Sequence, residues 1–151
     1  MNIIPKKYLT KSELHSLSSV IAEAEKNTSG EIRVIIRRHR HWKERKLSIH
    51  ELTLGEFHRL GMEKTRDRTG VLILLLLSEK KFQIIADEGI HTKVQDGTWS
   101  KVAGLMNRHF QQGQFYEGIA EAIRAVGNKL MEHFPKKSDD TNELPNEIIE
   151  Q

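Results

Sequence analysis

Asp87 and Glu88 stand side by side just before Gly89, and a third acid, Asp67, precedes Arg68 earlier in the chain. Asp96 follows a few residues later. Hard divalent cations take several oxygen ligands from such carboxylates and from backbone carbonyls. Asp67, Asp87, Glu88 and Asp96 therefore form one candidate metal set. His91, beside the acidic loop, is the histidine best placed to move a proton there. No twelve-residue EF-hand pattern is present, so the case rests on where the backbone would carry these acids. The same residue types also cap helices and solubilise loops, and Asp96 before Gly97-Thr98-Trp99 suits an N-cap. The pairs His39/His41 and His50/His58 lack the four-residue helical spacing of a zinc pair.

A second cluster is basic. Arg33–Lys46 carries Arg33, Arg37, Arg38, Arg40, Lys43, Arg45 and Lys46 against the single acid Glu44. Arg37, Arg38, Arg40, Lys43 and Arg45 form a candidate anion-binding set. Trp42 lies among them and could stack on a base, seat on a membrane surface or fold back over the sheet. Neither an aromatic ladder nor a reading helix accompanies the run, so nucleic acid is not the expected partner. A solvated loop is the plainer alternative.

Composition narrows the chemistry. The 151-residue chain has no cysteine, which removes disulfides, thiolate catalysis and Cys-based zinc sites. It also has no GxSxG elbow and no phosphate-cradling glycine loop. Met1–Lys7 lacks the apolar stretch of a signal peptide. The longest apolar run, Val71–Leu77, falls far short of the ~20 residues that span a bilayer. These features read as a soluble cytoplasmic protein without a transmembrane segment.

The elements that must position both clusters follow from periodicity. Thr10-Lys11-Ser12-Glu13 is a capping box, and Leu14, Leu17, Val20, Ile21 and Ala24 share one face of the helix behind it. Glu31–Arg38 alternates as a strand, with Arg33, Ile35 and Arg37 on a face expected to be half exposed or near an edge. Ser48-Ile49-His50-Glu51 is a second capping box, opening a helix that should bury Leu54, Phe57 and Leu60. Val71–Leu77 is apolar throughout and needs cover on both sheet faces. Strand, helix, strand implies a right-handed parallel crossover. Ser78–Lys81 then turns the chain into an antiparallel strand, Phe82–Asp87, with Ile90–Gln95 a short irregular strand or a loop. Asp96 or Thr98 should cap a helix with Trp99, Val102, Ala103, Met106 and Phe110 on one face. A last helix buries Ile119, Ala122, Ile123, Val126, Leu130 and Phe134.

The order α-β-α-β-β-α-α predicts an α/β fold: a three-layer α/β/α sandwich around a small mixed β-sheet, with helices on both faces. Residues 1–8 read as an N-terminal tail and 9–135 as one domain. Residues 136–151 read as an acidic C-terminal tail expected to be disordered. Because antiparallel neighbours place the start of one strand beside the end of the other, Asp67, Asp87 and Glu88 should meet at one rim.

Three segments together resemble the TPM domain family. They are Ser29-Gly30-Glu31-Ile32-Arg33-Val34, Thr69-Gly70-Val71-Leu72-Ile73-Leu74 and Phe110-Gln111-Gln112-Gly113-Gln114-Phe115-Tyr116-Glu117-Gly118-Ile119. The resemblance covers about Leu9–Phe134. The chain departs from the family's usual pattern at Arg68-Thr69, at Glu88-Gly89-Ile90-His91 and at Gln114. Family members occur in bacteria and in plant thylakoids, where photosystem II repair factors carry the domain. The resemblance implies the sandwich fold, a divalent-cation site (usually calcium), and an acid phosphatase activity claimed for some plant relatives. In that activity a cation on Asp67, Asp87 and Glu88 would activate water, His91 would move the proton and Arg68 would steady the phosphate. Two readings of function follow. One is a non-catalytic binding module for an unknown protein or anionic partner, dependent on calcium or another divalent cation. The alternative is a metal-dependent phosphomonoesterase.

Overall fold

Seven buried residues in a row leave β2 (Gly70–Leu76) no face for water, and the fold is the cover this strand requires. A computed structural model describes residues 8–95, 97–137 and 142–151. Asp96 and most of the N-terminal tail lie outside the described residues. So does the segment 138–141 of the acidic tail. The elements run α1 (Lys11–Glu25), β1 (Glu31–Arg37), α2 (Ile49–Arg59), β2, β3 (Lys81–Ala86), α3 (Glu88–His91), α4 (Thr98–Gln111), α5 (Phe115–His133) and β4 (Ile149–Glu150). The sheet order is β3-β2-β1-β4. β1 pairs parallel with β2, in the register Glu31 with Gly70 through Arg37 with Leu76. β3 returns antiparallel on the far side of β2.

The two sheet faces carry separate apolar cores. Ile32, Val34, Ile36, Val71, Ile73 and Leu75 meet Leu17 and Ile21 of α1, Met106 of α4, and Ile119, Ile123 and Leu130 of α5. Ile35, Leu72, Leu74 and Leu76 meet Leu52 and Phe57 of α2, together with Met62. Each such side chain taken from water stabilises the fold by ~1.5–3 kcal/mol. This is the expected sandwich, three layers around a mixed sheet. Both capping boxes form, Thr10 with Glu13 and Ser48 with Glu51.

Several expectations are corrected. β1 is not near an edge: all seven of its residues are buried, because β4 closes its outer side. The acidic tail is not wholly free of structure, for its last residues supply that strand. The backbone N–H groups of Glu143 and Leu144 donate to the Glu31 carboxylate at 2.6 and 2.7 Å. The Gln151 N–H donates to the Ile36 carbonyl, and the Arg38 N–H donates to the Gln151 carbonyl, both at 3.0 Å. On α2 the buried stripe is Leu52, Thr53, Glu56 and Phe57, so Leu54 faces water. Ile90–Gln95 is not a strand: Glu88–His91 forms a short helical turn, and the chain continues to Gln95 as a loop. α4 begins at Thr98 behind Gly97, which holds the left-handed φ of 85° that glycine tolerates.

Candidate functional site

Because β1 and β2 run parallel and β3 runs back, the sheet has two unlike rims. The start of β2 and the end of β3 share the first, with the segment after α5. The Thr28–Pro135 bridge ties that segment to the start of β1. The ends of β1 and β2 share the second, where the basic loop leaves β1.

Asp67, Asp87 and Glu88 do come to the first rim, but they are already engaged. Asp87 is buried and takes a bidentate pair from Arg68, Nε to Oδ2 and Nη2 to Oδ1, both 2.8 Å. Its Oδ1 also accepts the Glu88 N–H at 2.8 Å, capping α3. These bonds hold the Arg68 guanidinium above its ordinary value. Arg68 reaches Asp87 from a left-handed backbone, φ 55°. Glu88 points outward, with Arg68 Nη1 at 3.7 Å. Gly89 closes the turn: its N–H donates to the Arg68 carbonyl at 3.0 Å. A Cβ there would stand 2.5 Å from the carbonyl oxygens of both Asp67 and Arg68.

Asp67 is turned to the other side of this turn. Burial pushes its carboxyl up, but hydrogen bonds from Arg66 and Lys137 outweigh that and hold it below the usual carboxylate range. Asp67 lines a cleft of about 530 Å³ with Thr69, Lys93, His133, Lys136 and Lys137. Neither Asp87 nor Glu88 lines that cleft. His91 faces yet another hollow, at the outer edge of β3, shared with His50, Gln83 and Trp99.

A calcium ion wants six to eight oxygens with free lone pairs. Here both Asp87 oxygens are committed to a guanidinium, and Asp67 to two cations. As arranged, the residues do not fit a cation cage, and a cation at Asp87 would first have to displace Arg68. Among the described residues no group of three or more His, Cys, Asp or Glu is placed to hold a metal.

One titratable group on this side gave no sequence signal. Glu25 closes α1 and accepts the Ile32 N–H at 2.7 Å. Burial pushes its carboxyl up to about 7, with Glu31 adding to the rise and the Ile32 bond and Lys136 opposing it. The lysines around Asp67 were equally hidden. Lys136-Lys137 is visible in the sequence, but only the return of α5 brings it to the start of β2.

The second rim divides the basic set. Arg37 is buried and pairs with Glu44 at 2.5 and 3.1 Å, which holds that carboxyl below its usual range. Arg40 pairs with Glu79 at 2.5 Å, joining the basic loop to the turn after β2. These two shape the loop. Arg38, Lys43 and Arg45, with Lys46, are exposed, and among the described residues none has an acidic partner within ion-pair distance. Trp42 is 74 % exposed, and the Arg45 guanidinium lies 3.9 Å from its ring centre.

No described helix is long and apolar enough to cross a membrane. No match was found among curated proteins. Several solved structures share the architecture. The BA42 protein from the psychrophilic bacterium Bizionia argentinensis is 35% identical, with a TM-score of 0.86 and coverage of 99% of both chains. An N-terminal domain from P. gingivalis is 19% identical, TM-score 0.69, covering 86% of this chain and 83% of that one. The N-terminal domain of cg2496 from Corynebacterium glutamicum is 10% identical, TM-score 0.62, with coverage of 95% and 93%. The last two show the fold alone. The family model of the TPM domain matches residues 4–129, taking in all three signature segments and both covered faces of β2: the chain belongs to the TPM domain family.

Proposed function

We propose that this TPM domain is a non-catalytic binding module that docks an anionic partner on the loop after β1. One observation carries the reading. Trp42 is held out in water with Arg45 stacked on it, amid cations that have no acidic partner among the described residues. Burying an indole stabilises a fold by a few kcal/mol, so a chain that exposes one beside cations not neutralised by a carboxylate has both ready for a partner. The loop also stands at the carboxyl ends of two parallel strands, the rim where open α/β sheets bind ligands. Arg37 and Arg40 serve it indirectly, each fixing the loop through a carboxylate.

The phosphomonoesterase alternative asks Asp87 to hold a cation and Arg68 to meet a phosphate. The bidentate pair commits each to the other, which favours the binding reading. Heparin, a generic polyanion, titrated into the protein at low salt should shift the amides of Arg38–Lys46 and the Trp42 indole. The affinity should fall steeply as salt rises. A Lys43→Glu, Arg45→Glu double variant should bind at least about tenfold more weakly. Shifts confined to other surfaces would sink the proposal. Hydrolysis of an aryl phosphate with added divalent cation, lost in Asp87→Asn, would put the alternative in its place.

A further inference from the structure

A pocket of about 260 Å³ opens on the second rim, between the end of β2 and the junction of α4 with α5. Its wall is mostly hydrocarbon: Leu75, Leu77, Phe110 and Phe115 line it, and Lys80 and Lys81 stand at its mouth. The aromatic side is built of rings in mutual contact. Phe110 and Phe115 are 5.2 Å apart between ring centres, and each is braced from outside. Phe82 meets Phe110 edge-on at 5.8 Å, and Tyr8 meets Phe115 edge-on at 5.1 Å. A cavity of about 150 Å³ is already enough to admit benzene in another protein, so this one has room for a ring or a short alkyl chain.

The mouth has the opposite character. Lys80 and Lys81 are exposed, and Lys80 has no ion pair among the described residues. Lys81 has Glu79 at 3.6 Å, but Glu79 is also held by Arg40 at 2.5 Å. Lys80 holds a left-handed backbone, φ 52°, which fixes where its side chain leaves the turn. Apolar pockets with a few convergent polar groups are the usual form of a small-molecule site. We propose that this pocket binds a small amphiphilic carboxylate, its apolar tail among Phe110, Phe115 and Leu77 and its carboxylate between Lys80 and Lys81. The site is separate from the Trp42 loop and goes beyond the docking function assigned to that loop.

Octanoate, below its micellar concentration, is a suitable probe, with octanol as its neutral counterpart. Octanoate should shift the amides of Leu75–Leu77, Lys80, Lys81, Phe110 and Phe115, and should bind at least about fivefold more tightly than octanol. Lys80→Asn with Lys81→Gln should reduce octanoate to the affinity of octanol, asparagine being tolerated at positive φ. Asn107→Trp, at the exposed edge of the pocket, should abolish binding of both. Gln111→Trp takes its place if circular dichroism shows the first variant unfolded. Trp42→Ala should leave octanoate binding unchanged, so failure of the loop proposal and failure of this one are distinguishable. Equal affinity for octanoate and octanol, shifts centred on Arg38–Lys46, or undiminished binding in the folded tryptophan variant would each overturn the assignment. So would sedimentation with phosphatidylcholine–phosphatidylglycerol vesicles in a protein whose pocket amides ignore octanoate.

Discussion

Arg68 occupies a conformation that costs a non-glycine residue about 1 kcal/mol, and its bidentate contact with Asp87 is what offsets that cost. The guanidinium thereby supplies the counter-charge of a carboxylate held out of water. Arg68→Asn keeps a residue suited to positive φ and removes the cation. We expect this variant to unfold at a lower urea concentration, because Asp87 is left buried without its counter-charge. Equal midpoints would show that the pair does not hold this turn. Glu25 supports a prediction of a different kind. Its folded pKa is raised from 4.5 to about 7, so the folded chain holds this proton more tightly than the unfolded one. Its contribution favours folding in full below about pH 4.5 and is lost as pH rises through about 7. The loss amounts to at most about 3–4 kcal/mol. Glu25→Gln keeps an acceptor for the Ile32 N–H and does not titrate. Urea midpoints measured from pH 4.5 to pH 8 should therefore fall less steeply in the variant, which becomes the more stable of the two at the alkaline end.

At the scale of elements, the short strand β4 is the least expected part of the fold. Leu144, Ile148 and Ile149 are half-buried by it, Leu144 and Ile149 against the α2 core and Ile148 against the other. Half-burial of three such side chains is worth about 3 kcal/mol together. Removing 142–151 should lower the unfolding free energy by about that amount and speed amide exchange at Ile36 and Arg38. An unchanged urea midpoint would show that the strand adds nothing to the fold. The sequence hid this strand because a two-residue apolar patch in an acidic tail has no periodicity to read, and its partner lies more than a hundred residues away along the chain. Helices were far easier to recognise. Thr10 with Glu13 and Ser48 with Glu51 are local signals that tertiary packing leaves intact. The apolar run of β2 was equally plain, since burial on both faces is what an unbroken hydrophobic strand demands. Leu54 misled because α2 covers one narrow part of the sheet, and its buried stripe turned toward Thr53 and Glu56.

Across the whole molecule, the seven residues of β2 separate the two rims by about 20 Å. The acids foreseen at one rim do gather there, yet as partners of cations. Which arginine would meet which carboxylate was not readable, since the Arg68–Asp87 pair depends on a backbone turn no motif announces. The same holds for Arg37 and Arg40, whose charge is spent inside the protein while that of Arg38, Lys43 and Arg45 faces out. A basic run in the sequence thus contained both the frame of a loop and its outer surface. The chain has two tryptophans, and Trp99 is packed against the core. Emission from Trp42 should therefore be red-shifted and open to quenching by iodide, an anion the neighbouring cations attract. The unlabelled protein carries its own optical reporter at the point of contact, and a blue shift on mixing would register an arriving partner before that partner had been identified.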